Sequence, residues 1–235
     1  TDKAANPVNM MGASKRIMEI YLMQESQTID ISTARFANVA FSDGSLLHGF
    51  EQRIKKNQPI AAPSDVKRYF VTPKEAGELC LISGLLGNNR EIFFPKLSPE
   101  LNLVYFDKIA LKFLNKNGYE PFICDSEDEA RKNIKKLISE GKWPCYFFES
   151  DTTGEKDFEE FYTDDETIDL DRFKNIGIVL NNLSFDEIKL KSFLHDIKSM
   201  QKNLSWHKSQ LVDLFNEMIP NFSYVDKNKY LDEKM

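Results

Sequence analysis

Thr1-Asp2-Lys3-Ala4-Ala5-Asn6-Pro7-Val8-Asn9-Met10-Met11-Gly12-Ala13-Ser14-Lys15-Arg16 concentrates reactive side chains at one end and a helix start at the other. Asn6-Pro7 marks a loop, because proline fixes its own φ and turns the preceding residue away from helix. The spacing of Met11, Met18, Tyr21 and Leu22 then predicts a helix from about Asn9 to Gln24. Lys15 follows Met11 by four residues, one turn on the same face. Ahead of the helix stand a hydroxyl, a carboxyl and an ammonium in succession: Thr1, Asp2 and Lys3.

Outward from this stretch, strands and helices alternate. Ile31 to Val39 reads as a buried strand, and Ser42-Asp43-Gly44-Ser45 as a turn opening a helix with Leu47, Phe50 and Ile54 on one face. Asn57 to Ser64, with Pro59 and Pro63, reads as a loop. Thr72-Pro73-Lys74-Glu75 combines a cap residue, proline at the first helical position and a glutamate three residues on, so a helix runs to about Leu86. Glu91 to Phe94 reads as a strand. Beyond a boundary at Lys96–Ser98, Ser98-Pro99 opens a helix ended by Gly118, and Tyr119 to Cys124 follows as a strand. Ser126-Glu127-Asp128-Glu129 caps a helix ending near Gly141, and Pro144 to Glu149 is again strand-like. Ser150 to Asp171 is polar and irregular, and Ile176 to Leu180 is a strand. Ser184-Phe185-Asp186-Glu187 caps a helix to about Met200, and a last helix spans about His207 to Met218. This alternation predicts an α/β chain with a largely parallel sheet, divided into 1–97 and 98–235.

The 235 residues carry 31 basic and 37 acidic side chains, a net charge of −6. That balance excludes a nonspecific nucleic-acid binder, whose footprint is a basic excess. No apolar run reaches the ~20 residues of a membrane span. Cys80, Cys124 and Cys145 are too scattered for a disulfide framework or zinc ribbon, and a reducing cytoplasm is expected. His48, His195 and His207 lack ligand spacing, so no metal is expected. The acidic cluster Asp164-Asp165-Glu166 lacks the calcium-loop pattern and is expected at the surface. Trp143 and Trp206 are assigned to packing.

Neither a dinucleotide-binding glycine motif nor a Walker loop is present. Instead, the opening stretch resembles the extended short-chain dehydrogenase/reductase family, in particular the nucleotide-sugar 4,6-dehydratases of polysaccharide biosynthesis. Members carry TDK-A, then P-x-N, then [YM]-G-x-x-K. Arg35-Phe36-Ala37-Asn38-Val39 is similar to the family's R-x-x-N-V. Asp43-Gly44-Ser45 and Arg68-Tyr69-Phe70-Val71-Thr72 fall where its G-S and R-Y-F-x-T stand. Gly141 to Lys156, Phe41 to Ser45 and Lys229 to Met235 are similar to blocks of dehydratases in legionaminic-acid pathways. The resemblance implies the carboxy-terminal part of a Rossmann-like fold with an additional α/β carboxy-terminal region. It also implies that the cofactor-binding amino-terminal half is absent and that the chain alone is inactive.

The resemblance further implies the chemistry. Hydride leaves sugar C4 for bound NAD or NADP, the C5 proton and C6 hydroxyl are eliminated, and hydride returns to C6. Asp2 and Lys3 are the implied acid–base pair: a protonated Asp2 donates and a neutral Lys3 accepts. Thr1 is implied to hydrogen-bond the C4 oxygen, and Lys15 to bind the nicotinamide ribose. Met11 borders the cofactor where most relatives carry the catalytic tyrosine, which leaves Thr1 with a water, or Lys15, to deprotonate the C4 hydroxyl. Asn38 and Arg68 match positions that hold the substrate diphosphate; arginine's planar fork suits phosphate oxygens. The implied substrate is UDP- or GDP-linked N-acetylglucosamine and the implied assembly a homo-oligomer, packed through the Asn9–Gln24 helix. Two rivals stay open: a nucleotide-sugar 4-epimerase on the same fold, and a non-catalytic sugar-nucleotide binding or assembly module.

Overall fold

The computed structural model describes residues 1–96, 103–150, 159–182, 185–219, 222 and 224. A one-turn 3-10 helix, Asp2–Ala4, precedes α1 (Met10–Glu25). Asn9 caps α1, its Oδ1 accepting the Gly12 N–H at 2.8 Å. There follow β1 (Thr33–Ala34), β2 (Asn38–Val39), α2 (Leu46–Lys55), β3 (Ile60–Pro63), β4 (Lys67–Arg68), β5 (Phe70–Val71) and α3 (Pro73–Leu86). Next come β6 (Glu91–Pro95), β7 (Val104–Tyr105), α4 (Phe106–Lys116), β8 (Glu120–Cys124), α5 (Glu127–Ser139) and β9 (Lys142–Phe148). The remaining elements are β10 (Ile168–Asp169), β11 (Ile176–Leu180), α6 (Glu187–Asn203) and α7 (Lys208–Met218).

Contacts divide the chain into two interleaved units, one of Thr1–Phe36, Glu75–Leu97 and Thr153–Asp226, the other including Ala37–Lys74 and Ser98–Thr152.

The first unit is built on a mixed sheet of order β1-β6-β11-β10. β6 is its axis, parallel to β1 and antiparallel to β11. Ile92, Phe93 and Phe94 are almost wholly buried there, and Leu79 of α3 packs with Phe93 and Ile178. Gly177 is required by the Phe94 ring, since a Cβ on it would lie 2.3 Å from that ring. A second core joins α1 to α6 and α7 through Ala13, Ile17, Leu190, Phe193 and Met218.

The second unit holds a parallel sheet of order β3-β9-β8, with the ribbons β2–β5 (parallel) and β4–β7 (antiparallel). Phe50 of α2, Ala110 and Leu114 of α4, and Ile134 of α5 pack with Ile60, Trp143 and Cys145. Trp143 satisfies its indole by donating to the Gln58 carbonyl at 3.0 Å.

Several sequence expectations are corrected. In place of a single largely parallel sheet, the strands of the described residues divide among four sheets, two of them parallel. The continuous strand expected from Ile31 to Val39 breaks into β1 and β2, which belong to different sheets. The break falls at Arg35, whose charged side chain is wholly buried in ion pairs. The segment read as a loop between Asn57 and Ser64 contains β3, a strand on the sheet's edge. Its partner, Cys145–Phe148, lies far along the chain, which local proline signals cannot register. β10 interrupts the stretch expected to be irregular. The expected helix starts at Ser98 and Ser184 lie outside the described residues; α4 begins at Phe106, and Asp186 caps α6. Positions 151–156 and 229–235 of the pathway-like blocks also lie outside them. Among the described residues no helix is long and apolar enough to cross a membrane.

Candidate functional site

In the first unit, Thr1, Asp2 and Lys3 sit on a turn held from both ends. The Thr1 backbone nitrogen donates to the Ala34 carbonyl at 3.1 Å. Ala4 and Ala5 are buried, and the Ala5 N–H closes the turn onto the Asp2 carbonyl at 3.0 Å. The turn rests on α1 at Gly12, where a Cβ would come within 2.7 Å of the Lys3 carbonyl oxygen and 3.2 Å of Pro7. Glycine is needed at that point so that the turn bearing Asp2 and Lys3 can lie against the helix.

The Thr1 hydroxyl organises this turn. It donates to Asp2 Oδ1 at 3.2 Å and accepts the Lys3 N–H at 3.4 Å. Asp2 is half-buried and Lys3 exposed. Met11, on α1, is exposed, and Lys15 one turn further is half-buried. Among the described residues the Lys15 ammonium has no hydrogen-bond or ion-pair partner, so its three donors fit a ligand's paired hydroxyls, such as those of a nicotinamide ribose.

One face of α1 is fixed by a charge cluster. Arg35, fully buried, donates through Nε and Nη2 to the two oxygens of Glu19 at 2.9 and 2.7 Å. Its Nη1 and Nη2 reach the Glu166 carboxylate at 2.7 and 2.8 Å, and Nη1 also reaches the Phe161 carbonyl at 2.8 Å. Arg16 bridges the same two glutamates at 3.2 and 3.1 Å. Burial opposes the Arg35 charge, but its bonds to Glu19 and Glu166 outweigh it and hold the guanidinium above its ordinary pKa. Burial likewise raises Glu166, and Arg35 more than reverses it, leaving that carboxyl below the usual range. The expectation of a surface acidic cluster thus fails at Glu166, whose side chain is 10% exposed and ion-paired; Asp164 and Asp165 are exposed.

In the second unit, Asn38 and Arg68 lie on two linked ribbons. Asn38 of β2 registers with Phe70 of β5, and its backbone and side-chain nitrogens donate to the Tyr69 carbonyl at 3.3 and 3.4 Å. Arg68, two residues before Phe70, is half-buried on β4. Its Nη1 donates to the Lys67 carbonyl at 2.8 Å, and its guanidinium lies 5.8 Å from the Phe106 ring centre. Phe70 packs on the same ring at 6.3 Å. The structure therefore brings Asn38 and Arg68 together in this unit, and Thr1, Asp2, Lys3, Met11 and Lys15 together in the first.

Sequence reasoning quoted Arg35 inside a motif but missed its partners. A signal existed: Glu19 falls among the residues α1 buries, and Arg35 is the one charge in the segment from Ile31 to Val39, so each asks for a counter-charge. Among the described residues no group of three His, Cys, Asp or Glu side chains is placed to hold a metal ion.

These features define a class first: an α/β chain whose charged turn and lysine-bearing helix flank a β–α core. A solved structure, the X-ray structure of Pen from Bacillus thuringiensis, has this fold, with a TM-score of 0.57 and 20% sequence identity over 78% of this chain and 51% of that one. The fold is Rossmann-like. Residues 1–181 match the family model described as polysaccharide biosynthesis protein, and the chain belongs to that family. It is 32% identical over 120 residues to the capsular polysaccharide biosynthesis protein CapD of Staphylococcus aureus, covering 49% of this chain and 20% of CapD. It is 30% identical over 223 residues to the uncharacterized membrane protein MJ1061 of Methanocaldococcus jannaschii, covering 88% of this chain and 61% of that protein. A UDP-glucose 4-epimerase of Rickettsia rickettsii is 31% identical over 146 residues, covering 59% and 42% of the two chains. The chain thus spans between a fifth and three-fifths of the length of these curated relatives.

Proposed function

We propose that this chain supplies the acid–base and substrate-binding residues of a nucleotide-sugar 4,6-dehydratase. Its substrate is UDP- or GDP-linked N-acetylglucosamine, and its product a 4-keto-6-deoxy sugar nucleotide. The product serves a bacterial surface glycan of the nonulosonic or legionaminic type, and the enzyme works in the cytoplasm. One observation carries the reading: Asp2 and Lys3 occupy successive positions of a turn seated against α1 at Gly12, the helix that also presents Lys15.

The bound dinucleotide, NAD or NADP, supplies the means to remove hydride from the sugar and return it. Lys15 holds the ribose of that group and places positive charge near the reacting carbons. Thr1 holds the sugar's C4 oxygen. Lys3 takes the C5 proton, made acidic by the C4 ketone, while Asp2 delivers a proton to the departing C6 hydroxyl. Both groups need a drier setting than the half-buried and exposed positions they occupy, and a sugar and cofactor closing over the turn would remove that water. The Thr1 contact tunes the pair: with Asp2 protonated, the Thr1 hydroxyl hydrogen is released from the carboxylate and can turn to the substrate oxygen. Asn38 and Arg68 bind the diphosphate.

The epimerase relative favours a second reading on the same fold, 4-epimerisation. Epimerisation needs no adjacent acid and base, and methionine at position 11 cannot exchange a proton. The test is turnover of the natural full-length protein with UDP-N-acetylglucosamine, followed by the absorbance of the 4-keto product. Asp2→Asn and Lys3→Met are each expected to lower turnover by roughly 10²–10⁴-fold with cofactor binding intact. Near-normal dehydration by either variant, or formation of a C4 epimer without 4-keto product, overturns the reading.

A further inference from the structure

The connection between α6 and α7 is a protruding tip. Every residue from 201 to 210 is exposed. Within it Leu204 is 86% and Trp206 54% exposed, so the packing role expected for Trp206 is not found, whereas Trp143 is 1% exposed. Leu204 also closes α6 in the left-handed region, at φ +50°. Glycine or asparagine ordinarily fills such a position, and a leucine there gains no burial in return for its backbone strain.

The charge at the tip runs against the rest of the molecule. Residues 198–210 contain Lys198, Lys202 and Lys208 and no aspartate or glutamate, in a chain of net charge −6. Lys198 and Lys202 are exposed at the end of α6; Lys208 begins α7, its ammonium 5.5 Å from the Tyr224 ring centre. Two apolar side chains fall far short of the ~800 Å² per partner of a standard protein interface, and lysine is depleted from such interfaces. A tryptophan and a leucine ringed by lysines match the boundary of an anionic bilayer. The indole seats at the headgroup level there, and lysine stems lie along the apolar zone with their ammoniums among the phosphates.

We propose that the α6–α7 tip is a peripheral docking site for an anionic lipid surface, entered by Leu204 and Trp206 and steered by Lys198, Lys202 and Lys208. The contact is shallow and reversible, since so small a set of groups gives weak binding. It would hold this part of the protein beside a membrane.

The chain carries its own reporter, because Trp206 is exposed and Trp143 buried. The full chain is mixed at low salt with vesicles of phosphatidylcholine alone, or with about 30% phosphatidylglycerol. The expected result is a blue shift of tryptophan emission and at least about fivefold more co-sedimentation with the anionic vesicles, reversed by roughly 0.5 M salt. Leu204→Ser with Trp206→Ser, and separately Lys198→Glu with Lys202→Glu, are each expected to abolish the excess sedimentation. The far-ultraviolet spectrum should not change, since these side chains are all exposed. Equal sedimentation with both vesicle types overturns the proposal. So does a blue shift that grows with protein concentration in the absence of lipid, which would assign the tip to a second copy of the chain.

Discussion

Arg35 and Arg68 both stand in motif segments, yet the two are held in opposite ways. Arg35 is wholly buried and spends its guanidinium on Glu19, Glu166 and the Phe161 carbonyl. Arg68 is half-buried on a two-residue strand, its guanidinium 5.8 Å from the Phe106 ring centre and one nitrogen on a backbone carbonyl. The first is a fastener inside the protein. The second has an aromatic ring within cation–π reach of its planar cation. An arginine in a sequence motif is therefore not by itself a ligand contact; the company it keeps decides.

The strongest way to break the contrast is to remove the fastener. Arg35→Ala leaves Glu19 and Glu166 as buried carboxylates without their main counter-charge, a loss of about 3–5 kcal/mol in folding stability by urea denaturation. Arg35→Lys should recover only a small part, because an ammonium cannot grip two carboxylates with a planar fork. A loss below 1 kcal/mol would mean that Arg16 alone suffices to hold the glutamates.

Arg68→Ala should leave the urea midpoint nearly unchanged and weaken UDP-N-acetylglucosamine binding by about 1.5–3 kcal/mol, the scale of a hydrogen bond to a charged group. Calorimetric titration of the full-length protein measures it. Stability loss without affinity loss would make Arg68 a second fastener and remove the contrast.

A smaller effect follows from protonation. Arg35 holds Glu166 below its unfolded pKa, so the stability this carboxylate contributes is full above the usual carboxylate range and is lost as pH falls through the depressed value. Wild-type stability should therefore fall on acidification, and Glu166→Gln should flatten that acid limb while lowering the neutral plateau. Parallel limbs in the two proteins would show that Glu166 is not the titrating group.

The last prediction concerns the solvent side of α1. Of the three residues expected at the contact, Met18 and Tyr21 are 46% and 40% exposed, and Leu22 is half-buried. An isologous contact through this patch would make the full-length protein a dimer or higher oligomer. Met18→Glu with Tyr21→Glu should then shift light scattering to the monomer mass with little change in folding stability. A monomer before any substitution removes the contact.

Much of this architecture was legible in the sequence because its signals are local. The Asn6-Pro7 loop, the Thr72-Pro73 start and the Ser126 box each announce a helix within four residues, and α1, α3 and α5 begin where those signals stand. β11 matches its apolar run from Ile176 to Leu180. What escaped was non-local. β3 exists through pairing with β9, and the division of one apolar run into β1 and β2 depends on partners in separate sheets. The candidate site shows the same division. Lys15's place on α1 follows from helix periodicity, whereas the charge cluster under that helix joins residues separated by 131 positions. Periodicity has no access to such a pairing; only the cost of an unpaired buried charge hints that it must exist.

That separation also imposes a timetable on the ribosome. Glu166 leaves the ribosome 131 residues after Arg35, on the order of 10 s later at ordinary rates of translation. Throughout that interval the nascent helix α1 can meet Arg35 through Glu19, but the clamp over both is still being made. The helix proposed to present Lys15 is thus made well before its clamp is complete, so a ribosome stalled before position 166 would carry the sequence of the acid–base turn on an unfinished mount.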